Sequence, residues 1–401
     1  MIVERGRYGP FFSYTNKEYD TSGISTVHPK QFRMSAFEIT YLLTLSDGED
    51  IDQKVKSICL EQSVELPGAL LDSHIEEEVV GDPVSIEKVK EDQFEVVISW
   101  PIANLGGEIT QFINVLYGNI SLKPGIRVTS ADWTELSDLF AGPAVGLKEV
   151  RNRHQVLDRP LSATALKPVG STPSELANYC FQFACGGIDI IKDDHGLANQ
   201  SAAPFGARLK ACVSAISKAE EQTGNRASYY PNITASPEEA IERYQMAARR
   251  GADGVLLCPH ISGLPTMHKL AQMDIDLPII AHPAFSGQLV MHETNGFTPD
   301  FLYGQLWRAF GADFIIYPNK GGRFSFTTEQ CKAINGAART PDSDFKKSFP
   351  MPGGGMEIDD LDRWVADYGK DTVFLIGGSL YEHPEGIIKG AQELQDKLTR
   401  E

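Results

Sequence analysis

The segment GGIDIIKDDHGLANQ, residues 186–200, ends an apolar run with a lysine, two aspartates and a histidine in consecutive positions, Lys192 to His195. On an arbitrary surface such a cluster is a solvated ion network. Here it closes an apolar strand, which points its side chains into the mouth of whatever that strand helps to build. Asp194 and His195 can ligate a divalent cation, and Lys192 adds the oxygen ligands that Mg2+ prefers if it is carbamylated. A second signal is glycine. Gly353-Gly354-Gly355 and Gly377-Gly378-Ser379 let backbone N–H groups approach an anion closely, and Arg323 in Asn319-Lys320-Gly321-Gly322-Arg323 adds a bidentate partner. Either cluster alone reads as a tight turn. Two at the ends of successive strands read as a phosphate site.

The elements that must position these groups follow a regular rhythm after Pro160. Candidate strands lie at 162–167, 188–192, 228–232, 254–258, 278–282, 314–318, 348–353 and 372–377. Helical stretches separate them, at 174–184, 204–223, 237–251, 264–273, 301–310, 329–338 and 357–369. Eight such units over this length fit an eight-stranded β/α (TIM) barrel, whose typical size is about 250 residues. A doubly wound open sheet would carry GxGxxG after its first strand, and none is present. The barrel rule places function at the C-terminal ends of strands. The unusual polar residues fall there: Lys167, Lys192 to His195, Asn232, His282 and the glycine clusters.

Before residue 155 the pattern is irregular. Strands at 37–45 and 94–102 mix with helices at 51–63 and 109–116, and 131–140 also has a helical pattern. The fold class is therefore α/β, with an N-terminal ferredoxin-like α+β domain (1–150) and a C-terminal barrel (151–401).

Composition narrows the function classes. Apolar residues make up 42% of the 401, so the chain can bury a core. No run approaches the ~20 apolar residues of a bilayer span. The net charge of −17 argues against a nucleic-acid partner. Six cysteines without CxxC pairing suggest reduced thiols and a cytoplasmic enzyme. Residues 1–14 lack a continuous apolar core, so no signal peptide is expected. His260, His268 and His292 read as solvated, His383 as shaping a loop before Pro384, and Trp307 and Trp364 as helix faces packed on the barrel.

GGIDIIKDDHGLANQ, with ALKPVG upstream (165–170) and YYPNITA downstream (229–235), resembles the RuBisCO large-chain superfamily and in particular its RuBisCO-like (form IV) members. LIGGSLYEHPEG (375–386) is another matching stretch, and the likeness covers nearly the whole chain. The resemblance implies that Lys192 becomes a carbamate holding Mg2+ with Asp194. The family's neighbouring glutamate ligand is His195 here, a softer donor that weakens magnesium binding or changes the metal. It further implies that Lys167 acts near the enediolate, and that His282 lies beside substrate hydroxyls. Asn232 matches a polar, substrate-side position. Glu61 and Asn119 match residues that reach the neighbouring subunit's site in a homodimer or a higher oligomer of dimers. Arg323 replaces a mobile-loop lysine, and Gly354, Gly355, Gly377 and Gly378 match one of two phosphate sites.

The departures decide the expected activity. Pro283, Ile316 and Gly353 stand where the family has an arginine, a histidine and a serine of the second phosphate site. Their loss removes several charge-assisted bonds of roughly 1.5–3 kcal/mol each. Val169 replaces a lysine near the reacting carbon. Carboxylation of ribulose bisphosphate is therefore not expected. The expectation is enolisation of a sugar monophosphate through a metal-stabilised enolate, with Lys167 as base provided apolar surroundings and neighbouring cations lower its pKa. His195 argues against the diketo-methylthiopentyl-phosphate enolase. HPAF, PNKGGRFSF and KDDHGLANQ are similar to the 5-methylthioribulose-1-phosphate isomerase and to the 3-oxo-isoapionate-4-phosphate decarboxylase or transcarboxylase branches. The isomerase of methionine salvage is preferred. A non-catalytic regulatory role is the competing class.

Overall fold

The structure is a computed structural model that describes residues 35–322, 326–341 and 344–399. Apolar–polar alternation in AFEITYLLT makes β1 (Ala36–Thr44), which buries Phe37, Ile39, Tyr41 and Leu43. β2 (Asp82–Lys88), β3 (Gln93–Pro101) and β4 (Ile126–Ala131) join it in the antiparallel order β4-β1-β3-β2. Helices Ile51–Glu61 and Ile109–Tyr117 follow β1 and β3, which gives the ferredoxin-like arrangement. Val55, Ile58, Phe112 and Leu116 carry the two helices into the core of that sheet.

The helix expected at 131–140 is not formed. Only a single tight turn, Thr134–Leu136, is helical. Trp133, Leu136 and Phe140 have helical spacing, but Trp133 and Phe140 face an aromatic cluster with Phe112, Phe301, Phe310 and Phe345. Tertiary packing explains the apolar residues better than a helix face does.

The barrel strands are β5 (Leu161–Leu166), β6 (Ile190–Asp193), β7 (Ser228–Tyr230), β8 (Val255–Leu257) and β9 (Ile279–Ala281). β10 (Gly296–Phe297) then leaves the ring and pairs in parallel with β4 of the N-terminal sheet. β11 (Phe314–Pro318), β12 (Phe349–Gly353) and β13 (Val373–Leu375) complete it. All eight barrel strands are parallel, in the order β7-β6-β5-β13-β12-β11-β9-β8. Leu256 closes the ring, donating to the Pro231 carbonyl and accepting from Ile233 N–H, each at 2.9 Å.

Helix starts are written locally. Thr172 with Glu175, and Thr327 with Gln330, form reciprocal caps on helices Pro173–Cys185 and Thr328–Ala337. Side-chain alternation divides the barrel into two cores. Ala163, Ile190, Tyr230, Leu256, Ile280, Phe314, Phe349, Met351 and Val373 fill the interior. Ile191, Tyr229, Val255, Ile279, Ile315 and Phe374 pack outward into the helix layer. The same alternation puts Lys192, two residues after Ile190, inside the barrel and Asp193 outside it.

Candidate active site

A cavity of about 750 Å³ opens at the C-terminal mouth of the barrel. Lys167, Lys192, Asp194, His195 and His282 line one end of it, and Gly353, Gly354, Gly355, Gly377, Gly378 and Ser379 line another wall. A third arm is apolar, with Phe285, Val290, Met291, Tyr303, Ile316 and Phe326. Three kinds of surface meet in one space.

The charged end is built around Asp194. Its Oδ1 lies 3.6 Å from Lys167 Nζ and its Oδ2 lies 3.5 Å from His195 Nδ1. Burial opposes its ionisation, but His195, Lys192 and Lys167 outweigh that and hold the carboxyl well below the usual range. Lys192 is almost fully buried and donates to the Asp193 carbonyl at 3.1 Å. Burial, reinforced by the charge of Lys167, pushes its ammonium down to about 8 against the pull of Asp194. Lys167 itself is 44% exposed at the side chain. The apolar surroundings expected for Lys167 are found around Lys192 instead. The His282 ring stacks on that of His195 with centroids 4.4 Å apart. Burial, then the charges of Lys192 and His195, keep His282 neutral far below the usual imidazole range. Its Nδ1 accepts from Ala284 N–H at 3.2 Å, which leaves the ring proton on Nε2.

Among the described residues no three His, Cys, Asp or Glu side chains converge as a ready metal cage. The donor set is one carboxylate, one imidazole and the Lys192 amine. A carbamate on Lys192 would supply the missing anionic oxygens, and an amine pushed down to about 8 keeps some free base near neutrality to react with carbon dioxide. The residues therefore fit a divalent cation with mixed oxygen and nitrogen donors.

The glycine wall fits an anion. Gly354 and Gly355 hold φ of +88° and +76°, conformations that side-chain-bearing residues rarely adopt. Nothing stands within 4 Å of a Cβ built on Gly377 or Gly378, so a side chain there would only take space from a ligand. Ser379 Oγ is buried in this wall without a hydrogen-bond partner among the described residues. An orphaned hydroxyl beside open backbone suits phosphate oxygens.

Residues 146–399 match the family described as ribulose bisphosphate carboxylase large chain, catalytic domain. The chain belongs to the RuBisCO large-chain family. It is 35% identical over 335 residues to the 5-methylthioribulose-1-phosphate isomerase of Rhodospirillum rubrum, covering 83% of this chain and 88% of the relative. It is 32% identical over 381 residues to the 2,3-diketo-5-methylthiopentyl-1-phosphate enolase of Geobacillus thermodenitrificans, covering 90% and 91%. The crystal structure of a RuBisCO-like protein from Rhodopseudomonas palustris superposes with a TM-score of 0.81 at 32% identity, covering 90% of this chain and 97% of that one. The dimeric archaeal RuBisCO from Hyperthermus butylicus gives 0.83 at 25% identity, covering 92% and 91%.

Pro283, Ile316 and Gly353, the three departures that the resemblance to the family singled out, all line the cavity. Other expected site residues are placed differently. Arg323 lies outside the described residues. Asn232 is fully buried and does not line the cavity. Its amide donates to the carbonyls of His195 and Leu197 at 2.9 and 3.0 Å, so it shapes the loop after β6 rather than facing substrate. Glu61 and Asn119 do not line this chain's cavity; Asn119 Nδ2 donates to Glu61, which also pairs with Lys123, both at 3.2 Å.

Several supporting residues escape a sequence reading. Asp193 faces outward and pairs with the fully buried Arg208 at 2.9 Å. It also accepts from Tyr229 Oη at 2.7 Å and from Asn232 N–H at 2.9 Å, tying β6 to β7. The alternation of inward and outward positions was the available signal. Tyr381 accepts from Lys167 N–H at 2.9 Å and donates to the Ala165 carbonyl at 3.1 Å, fixing the end of β5. His268 is not solvated, and His260 is only partly exposed. His260 accepts from Trp307 Nε1–H at 3.1 Å, and His268 is buried beside Phe140 and Phe310. His292 is exposed, and His383 accepts from Glu385 N–H within its own loop.

Proposed function

We propose that this protein enolises a phosphorylated ketose, a sugar monophosphate, and that its reaction is isomerisation of 5-methylthioribulose 1-phosphate in methionine salvage. The observation that carries this reading is the division of one cavity into an ionisable end, a glycine wall and an apolar arm. The glycine wall takes the single phosphate. The ketose carbonyl lies toward Lys192 and Asp194, and the methylthio end enters the apolar arm.

A Mg2+ ion held by carbamylated Lys192, Asp194 and His195 would polarise the carbonyl. Lys167 removes the α-proton and returns it to the adjacent carbon, while Asp194 holds its ammonium form in place. Neutral His282 presents Nε2–H to a substrate hydroxyl. The decarboxylase reading asks for a second anionic end, yet among the described residues the arm formed by Pro283, Ala284, Phe285, Val290, Met291, Ile316 and Phe326 has no cation. A non-catalytic barrel has no use for this convergence of ionisable groups.

The family likeness to the isomerase at 35% identity and the archaeal relative's dimer support a homodimer in which Glu61 and Asn119 reach the partner's barrel. The segments that carry them also expose Leu66, Leu70 and Leu122. No described helix is long and apolar enough to cross a membrane.

The test is product analysis by phosphorus and carbon NMR, with magnesium and bicarbonate present. 5-Methylthioribulose 1-phosphate should give an isomeric phosphate. Turnover only of the diketo compound would move the assignment to the enolase, and carbon dioxide release from 3-oxo-isoapionate 4-phosphate would move it to the decarboxylase.

A further inference from the structure

Phe285 combines two unfavourable features at one position. It is 84% exposed, the largest exposure of any aromatic side chain among the described large hydrophobic residues. Its backbone φ is +70°, in the left-handed region that a bulky residue rarely enters. Phe285 is the third residue of a turn in which Ser286 N–H donates to the Pro283 carbonyl at 3.1 Å, and turns with positive φ at that place favour glycine or asparagine. A glycine would remove both the strain and the exposed ring.

The turn is held in this conformation from several sides. Ser286 Oγ lies 2.6 Å from the Pro283 carbonyl and 2.7 Å from Tyr303 Oη. Ala284 N–H is fixed on His282 Nδ1. Tyr303 comes from Asp300–Leu306, a stretch of wide π-type helical turns, a local irregularity that recurs at functional sites. Strain kept in place by neighbouring bonds is a pointer to function. The ring lines the same cavity as Lys192 and Asp194, beside Val290, Met291 (itself 51% exposed) and Phe326.

We propose that Phe285 is a specificity-determining residue, the wall of an apolar subsite that closes on the unphosphorylated end of the substrate and selects an alkyl or thioether end over a hydroxyl. The proposal rests on the reading of the site as one for a ketose monophosphate. The turn presents the ring to the cavity mouth, and contact with an apolar tail removes from water the surface that the free protein leaves exposed.

The test compares matched ligands, 5-methylthioribulose 1-phosphate and ribulose 1-phosphate, which differ only in the methylthio group against a hydroxyl. Binding constants are measured by calorimetry for wild type, Phe285→Gly and Phe285→Leu, and α-proton exchange in deuterium oxide is followed in parallel. The wild type should prefer the methylthio ligand, and Phe285→Gly should reduce that preference roughly tenfold, equivalent to ~1.4 kcal/mol. Phe285→Leu should retain part of it. Phe285→Gly should also melt at a higher temperature, since glycine relieves the left-handed strain. A preference unchanged in Phe285→Gly, with exchange intact, overturns the subsite while leaving the functional reading in place. Lost preference without exchange in any variant keeps the subsite and overturns the reaction. Dissociation of a dimer by Phe285→Gly at constant preference assigns the ring to a subunit contact and overturns the proposal. Failure of the wild type to bind either ligand overturns both.

Discussion

Replacing Asp193 by alanine tests whether β6, the strand that carries Lys192, is anchored from behind. Both partners of the Asp193–Arg208 pair have no exposed surface. Arg208 also donates to the Ala203 and Ala198 carbonyls at 2.7 and 2.8 Å, so it stays buried when its carboxylate is removed. Breaking one side of such a pair costs about 3–5 kcal/mol, because an uncompensated charge remains inside. The Tyr229 hydroxyl and Asn232 N–H lose their acceptor as well. Against a typical stability of about 5–15 kcal/mol, Asp193→Ala should still fold but should unfold at markedly lower urea concentration. Asp193→Asn, whose amide oxygen keeps one acceptor, should lie between. The double change Asp193→Leu with Arg208→Met should cost less than the sum of the singles, since it removes both charges together. The assay is urea unfolding followed by circular dichroism at one fixed protein concentration, because an oligomer's stability depends on it. A loss below about 1 kcal/mol for Asp193→Ala would contradict the pairing, and with it the outward orientation of Asp193.

Three further outcomes are expected. Lys192→Ala should abolish turnover, and bicarbonate should activate the wild type; full activity in buffer free of carbon dioxide removes the carbamate from the account. Stability should fall with pH because of His260, whose burial lowers it to about 4 while an unfolded histidine titrates near 6.5. Below about pH 6.5 the unfolded chain binds the proton first, so up to about 3 kcal/mol is lost between pH 6.5 and 4, and His260→Phe should flatten that slope in urea titrations at each pH. A ketose monophosphate should bind at least about a hundredfold more tightly than ribulose bisphosphate, because Pro283, Ile316 and Gly353 leave a second phosphate unpaired. Equal affinities in calorimetry would show that another cation rebuilds that site.

The barrel was legible because each strand is a short apolar run ending in glycine, proline or charge, and two of the intervening helices, Pro173–Cys185 and Thr328–Ala337, carry their own caps. The N-terminal sheet was only half legible. β2 is an edge strand exposed at nearly every position, so it lacks an alternating apolar signal. β10 contributes two residues from far along the chain, a pairing that no local pattern encodes. Within the site, residue types announced Lys192, Asp194 and the glycine turns. The roles of Asp193 and Asn232 depended on which face of the strand each occupies and on partners from neighbouring elements. His260 and His268 looked solvated because burial by Trp307 and the aromatic cluster is a tertiary property.

Proton abstraction next to a ketose carbonyl is read by hydrogen exchange, which requires no known product. The protein, supplied with magnesium and bicarbonate, is incubated in deuterium oxide with 5-methylthioribulose 1-phosphate, and deuterium at the α-carbon is followed by NMR. Exchange in the wild type that is lost in Lys167→Ala and Lys192→Ala is the predicted result. Absence of exchange in the wild type with bound substrate, or undiminished exchange in Lys167→Ala, would contradict it.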